Sequence, residues 1–162
     1  MKNTSVGTVD DIGRVMNTYG NMLFRLCLIT LGNSSDAEDA VQETLIKYLR
    51  KAPEFENDQH EKAWLIKVAT NKCKDTLRFK NRRQLVNIDE INEFTKDDLD
   101  SGIIEVLMTL PDKFRTVLIL YYVEEYSIKD IARVIGRTAS AVKMRLKKGR
   151  RLLEEAYRKE YL

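Results

Sequence analysis

The sequence has 162 residues, 43% of them hydrophobic and 33% charged, with a net charge of +3 at pH 7. Cys27 and Cys73 are too few and too far apart for a metal knuckle, and the apolar stretch Met22 to Leu31 is too short for a membrane span and carries Arg25. No signal peptide is visible, so a reducing cytoplasm is the consistent compartment and both thiols are expected buried and free.

Two prolines and seven glycines suit long helices, and no run of alternating β-branched residues demands a sheet. The expected fold is all-α. Charge is unevenly placed. Residues 112–162 hold 13 basic and 7 acidic side chains, a net +6; residues 81–111 hold 3 and 7, a net −4; residues 1–80 hold 12 and 11, a net +1. A balanced front, an acidic middle and a basic end read as two small helical domains and a linker, with boundaries at 1–83, 84–101 and 102–162.

Up to about Gly7 the chain is polar and expected loose. Thr8, Asp10 and Asp11 open a helix, because acids favour the positive end of its dipole. The helix runs to about Leu31, is apolar nearly all round in its second half, and ends at Gly32-Asn33. Ser35 to Glu38 reads as a capping box for the next helix, which Pro53 closes. Its inward stripe is Ala37, Val41, Leu45, Tyr48, Leu49 and Ala52; its outer face holds Asp36, Asp39, Glu43, Ile46, Lys47 and Arg50. An exposed Ile46 among charges fits a protein contact surface and equally a solvated face with one stray apolar residue. The acids there have no histidine or second carboxylate-bearing element to complete a metal or acid–base site.

Residues 53–60 form a polar, acidic loop with the sole histidine, His60, read as solvated. From Glu61 to about Arg83 a third helix turns Leu65, Ala69, Lys72, Cys73 and Thr76 inward, with Val68 flanking. Lys67, Asn71, Lys74 and Arg78 recur at steps of four, three and four, a mostly basic stripe with Trp64 at its edge. Asn can pair with a base edge, Lys and Arg hold phosphates, and an aromatic can stack on an unpaired base. Residues 84–101 are acidic without a clean period. Helix resumes from Gly102 to Thr109. Pro111 then starts a helix, in its first turn, that presents Phe114, Val117, Leu118, Tyr121 and Tyr122 to the core of the second domain.

The segment from Ser127 to Arg151 carries the clearest local chemistry. Ser127 caps a short helix with Ile128, Ile131, Ala132 and Ile135 on one face. Gly136 permits a sharp turn, and Thr138 caps a second helix whose inward residues are Val142, Leu146, Gly149 and Leu153. Ser140, Lys143, Met144, Lys147, Lys148 and Arg151 point the other way. From Arg137 to Arg151 there are seven basic residues and no acidic one. This is a helix-turn-helix with a recognition helix for the major groove.

Three blocks make the sequence resemble the extracytoplasmic-function (ECF) group of bacterial sigma factors, in the sigma-70 family. Ser35 to Leu49 resembles the family's DAEDxxQExF block, with Leu45 in place of an aromatic. Ala63 to Arg78 resembles WLxxIAxNxxxDxxR, matched at Trp64, Leu65, Ala69, Asn71, Asp75 and Arg78. Leu110 to Leu153 resembles the C-terminal helix-turn-helix pattern, with Asp130, Ala141 and Met144 replacing the usual Glu, Thr and Ser.

The resemblance implies a subunit that directs core RNA polymerase to promoters and helps to open the minus-ten region, with no catalysis, metal or cofactor of its own. Asp36, Asp39, Gln42, Glu43 and Lys47 would dock on the polymerase clamp. The loop from Pro53 to Glu61 would take a flipped base of the unpaired non-template strand, with Trp64, Lys67, Asn71, Lys74 and Arg78 holding the adjacent strand. Ser140, Lys143, Met144, Lys147 and Lys148 would face the duplex minus-thirty-five element, flanked on phosphates by Arg145 and Arg150. Met144 offers an apolar contact suited to a thymine methyl. The family resemblance also implies an anti-sigma factor as a partner, and no membrane insertion. Two other readings compete. A stand-alone helix-turn-helix regulator would bind an operator, but would have no use for the first two blocks. A metal-dependent nucleic-acid enzyme would need Asp36, Glu38, Asp39 or Glu43 at its centre.

Overall fold

A computed structural model describes residues 9–80 and 101–162. The expected loose start and the acidic stretch up to residue 100 lie outside the described residues. Among the described residues every regular element is helical. Helices α1 (Val9–Leu31), α2 (Ser34–Lys51) and α3 (Asp58–Lys80) pack on one another. A second group comprises α4 (Ser101–Thr109), α5 (Asp112–Leu118), α6 (Ile128–Ile135) and α7 (Ala139–Tyr161), with α4, α5 and α6 each against α7.

Local chemistry sets the helix ends. Asp10 and Asp11 occupy the first turn of α1, and Gly32, at φ 87°, turns the chain sharply after it. Asn33 then caps α2: its side chain accepts from Asp36 N at 2.9 Å. This corrects the expected Ser35 cap. Asn33 already stands in extended conformation behind the glycine turn, so the helix starts before Ser35 can act. Helix α3 also begins earlier than expected, because Asn57 Oδ1 accepts from His60 N at 2.8 Å.

Pro111 sits one step before α5, at the cap, not inside the first turn; its carbonyl accepts from Phe114 N at 3.0 Å and Arg115 N at 3.1 Å. After α5 the backbone widens into a π-type turn over Ile119–Val123, where Glu124 N donates to Ile119 O at 3.0 Å. The extra residue rotates the following side chains. Ile119 and Leu120 take the core positions, and Tyr122, expected inward, is 53% exposed. On α7, a β-carbon at Gly149 would meet Leu118 Cδ1 at 3.3 Å, so this glycine is what lets α5 and α7 approach closely.

The two groups share one hydrophobic core. Leu23, Leu26 and Ile29 of α1, Leu65 and Ile66 of α3, and Ile104, Ile119, Leu120, Ile131 and Leu146 of the second group are fully buried within it. Helix α6 lies against α3 and α5 against α1. Arg25 of α1 donates to Glu124 Oε1 from Nε at 3.1 Å and from a terminal nitrogen at 2.8 Å, and the Glu124 side chain is only 4% exposed. Cys27 and Cys73 are free, buried and close together; their hydrogen bond, then burial, pushes the Cys73 thiol up.

Candidate nucleic-acid and polymerase interfaces

The helix-turn-helix is built as its residues require. Ser127 Oγ accepts from Asp130 N at 3.1 Å, Gly136 adopts the left-handed conformation at φ 68°, and Thr138 Oγ1 accepts from Ala141 N at 3.1 Å. Val142, Leu146 and Gly149 are buried beneath α7. At helical spacing this turns Ser140, Lys143, Met144 and Lys147 to solvent, and Met144 is 73% exposed. Lys148 is exposed, with its ammonium 5.5 Å from the Phe114 ring centroid. Arg145 is half-buried; burial first, and the nearby Arg137 second, hold its pKa below the usual value. Arg150 departs from the set. Its guanidinium donates to Tyr122 Oη at 2.9 Å and lines an apolar groove, of about 580 Å3, with Ile103, Leu107, Leu153 and Tyr157.

On α3 the stripe is as the spacing predicts. Lys67, Asn71 and Arg78 are exposed, and Trp64 and Lys74 are half-buried. Lys74 is held below its usual pKa by burial, then by Arg145 and Arg137. The basic stripe of α3 and the basic end of the helix-turn-helix are thus electrostatic neighbours. Between the start of α3 and the turn before α6 lies a cleft of about 750 Å3, with Asn57, Trp64 and Lys67 on one side and Glu124, Glu125 and Asp130 on the other. Glu125 stands in the left-handed region at φ 56°.

A network that periodicity did not reveal underlies this cleft. The Glu61 carboxylate, 4% exposed, accepts from both terminal nitrogens of Arg14 at 2.8 and 2.6 Å and from Tyr48 Oη at 2.8 Å. The Arg14 hydrogen bonds outweigh burial and lower the Glu61 pKa. Burial, then the bond to Glu61, pushes Tyr48 up to about 12. The Tyr48 ring lies 6.1 Å from Phe55 and 6.0 Å from Trp64, and Phe55 meets Trp64 at 5.8 Å and His60 at 5.2 Å between centroids. His60 is exposed but not idle: its Nδ1 accepts from Glu56 N at 3.1 Å. The signal in the sequence was Phe55, one aromatic inside an otherwise polar loop, with Asn57 placed to cap α3.

On α2, Asp39, Gln42, Glu43 and Lys47 are exposed around Ile46, itself 46% exposed. Glu43 is 3.5 Å from Lys72 of α3. Asp36 is corrected: it is 7% exposed, not on the outer face, and its Oδ2 accepts from Asn33 Nδ2 at 2.9 Å. The cap that starts α2 draws it in. Among the described residues no helix is long and apolar enough to cross a membrane, and no group of three or more His, Cys, Asp or Glu side chains converges as a metal ion would need.

Comparison with known proteins bears on both helical groups. Sigma-70 region 2 matches residues 15–83, and Sigma-70 region 4 matches residues 102–153. The chain is 32% identical to the RNA polymerase sigma factor SigV of Bacillus subtilis, over 86% of each chain. It is 26% identical to the ECF RNA polymerase sigma factor SigW of the same organism, over 98% of this chain and 95% of SigW. In fold it is similar to CnrH, solved in complex with the cytosolic domain of CnrY, with a TM-score of 0.70, 23% identity and coverage of 92% of this chain and 88% of that one. It is equally similar to the sigma factor RpoE of Bartonella quintana, solved with the anti-sigma factor NepR, with a TM-score of 0.71, 21% identity and coverage of 93% and 98%. With the helix-turn-helix and the basic α3 stripe in place, the chain belongs to the sigma-70 family of RNA polymerase sigma factors, in its ECF group.

Proposed function

We propose a division of labour for this ECF sigma factor: residues 1–83 bind the polymerase clamp and the minus-ten element, 84–101 connect, and 102–162 bind the minus-thirty-five element. The chain directs core RNA polymerase to specific promoters and helps to open the minus-ten region. On α2 the clamp-binding face is Asp39, Gln42, Glu43 and Lys47 around the exposed Ile46. Asp36 serves that face only indirectly, through the α2 cap.

The segment from Pro53 to Glu61, a loop as far as Asn57 and then the first turn of α3, receives a flipped base, and Trp64, Lys67, Asn71, Lys74 and Arg78 hold the unpaired strand beside it. Unpairing costs a few kcal/mol, which the pocket offsets. On α7, Ser140, Lys143, Met144, Lys147 and Lys148 face the duplex, flanked on phosphates by Arg145 and Arg150. Arg150 gives one terminal nitrogen to Tyr122 and keeps its other N–H donors for a flanking phosphate. The observation that carries this reading is two exposed basic faces on one chain, one beside an aromatic cluster and one on a capped helix-turn-helix.

The factor acts in the cytoplasm and carries out no covalent chemistry. Its second proposed partner is an anti-sigma factor, as RpoE of Bartonella quintana has in its complex. Run-off transcription tests the reading. Purified protein added to sigma-free core polymerase on a library of genomic fragments will give discrete starts with two shared upstream elements. No transcripts, with tight binding of the protein alone to duplex DNA, would instead mark a stand-alone operator-binding regulator.

A further inference from the structure

We infer that Glu61 is a positioning residue for promoter opening: through Arg14 and Tyr48 it fixes the aromatic socket that shapes the base-receiving loop. This rests on the reading of residues 53–61 as the site of the flipped base. Three helices meet at the one carboxylate. Arg14 comes from α1, Tyr48 from α2, and Glu61 lies in the first turn of α3. Arg14 also reaches Tyr48 Oη at 3.3 Å, which closes the triangle. Tyr19 of α1 adds a bond to Asp58 O at 3.3 Å, so α1 holds the start of α3 at two points.

What this triangle supports is the loop. Tyr48 has one hydroxyl, and its bond to Glu61 fixes the ring's tilt. That ring is a wall of the socket in which Phe55 sits, with Trp64 and His60 as the others. Phe55 is the loop's apolar anchor, half-buried between exposed neighbours. Beyond it, Asn57 is tied to α3 through His60 N, and Glu56 N is tied to His60 Nδ1. The backbone around the socket is therefore held from both sides before any nucleic acid arrives. A site set in advance does not have to order itself at the moment of capture, which favours binding and speed alike. A carboxylate with a purely structural role could sit anywhere among these helices. This one contacts the wall of the socket.

The test uses the full chain, its single tryptophan, Trp64, and holoenzyme on a promoter found by the run-off experiment. Trp64 fluorescence reads binding of a single-stranded oligonucleotide of the non-template minus-ten sequence. Permanganate reactivity of unpaired thymines reads opening. Glu61→Gln is expected to weaken oligonucleotide binding about fivefold or more and to slow opening in proportion, with affinity for core polymerase within about twofold of the parent. Tyr48→Phe keeps the ring and the Arg14–Glu61 pair and loses only the hydroxyl; it is expected to act in the same direction, and it decides the matter if Glu61→Gln does not fold. Phe55→Ala separates the two layers of the argument. If Phe55→Ala impairs opening while Tyr48→Phe and a folded Glu61→Gln behave as the parent, the positioning role is overturned. If Phe55→Ala also behaves as the parent, the loop is not the base site and the proposal falls with that reading.

Discussion

Arg115, from the second helical group, donates a hydrogen bond of 2.7 Å to the backbone carbonyl of Thr30 in the last turn of α1. That turn has no basic residue of its own, so a cation borrowed from α5 meets the negative end of the α1 dipole. A second terminal nitrogen of Arg115 reaches Met108 O at 3.1 Å, and the residue is 8% exposed. Arg115→Ala removes two charged hydrogen bonds and leaves buried carbonyls behind. The expected loss is about 3 kcal/mol of stability, read by urea unfolding of the full chain. Arg115→Lys will recover part of it, because an ammonium keeps the charge but lacks the planar fork whose two nitrogens meet the Thr30 and Met108 carbonyls.

The Arg25–Glu124 contact makes a separable prediction. Arg25→Met leaves the Glu124 carboxylate buried without its guanidinium, at a cost of about 3 kcal/mol. Adding Glu124→Gln to Arg25→Met will recover more than half of that loss. A double-mutant cycle in urea checks this; strict additivity of the two changes would show that they do not interact.

Glu61 and Tyr48 set a pH window. The folded-state pKa of Glu61 lies below its ordinary value near 4.5, so its stabilisation is complete above that value and fades as pH falls toward the lowered one. Tyr48 moves the other way. Its folded-state pKa is raised to about 12 from 10.0, so its contribution is complete below 10.0 and is lost as pH rises toward about 12. Chemical denaturation across pH will show both flanks, and Glu61→Gln will flatten the acid one.

On the proposed reading, recognition by α7 divides into charge and contact. Each of Lys143→Ala and Lys147→Ala will lower the slope of log affinity against log salt by about 0.9 on minus-thirty-five duplex. Met144→Ser will leave that slope unchanged. It will instead reduce the preference for thymine over uracil at one position, by about 1 kcal/mol, if the exposed thioether meets the 5-methyl group.

The caps at Ser127 and Thr138, the turn at Gly136 and the exposed basic face of α7 were legible because each depends on residues within four positions of one another. Asp36 and Tyr122 were misplaced for reasons equally local but outside a simple 3.6-residue period. Asn33 competes with Ser35 for the start of α2, and the π-type turn at Ile119–Val123 rotates everything after it. The Glu61 network could not be read at all. Its partners stand 47 and 13 positions away, and no pattern along the chain announces that Arg14 and Tyr48 converge on one carboxylate. The same holds for Arg115 and Thr30, 85 positions apart.

The packing of α6 on α3 bears on reach. Elements centred ten and thirty-five base pairs before a start site lie about 85 Å apart along B-form DNA at about 3.4 Å per base pair. The longest helices here have 23 residues, about 34 Å end to end. A chain folded on itself in this way is a closed ruler. On the proposed reading of the two promoter elements, spanning that distance requires α6 to part from α3, and the contacts such a parting breaks are Arg25 with Glu124, Arg115 with Thr30 O, and the Lys62 ammonium 5.2 Å from the Tyr126 ring centroid.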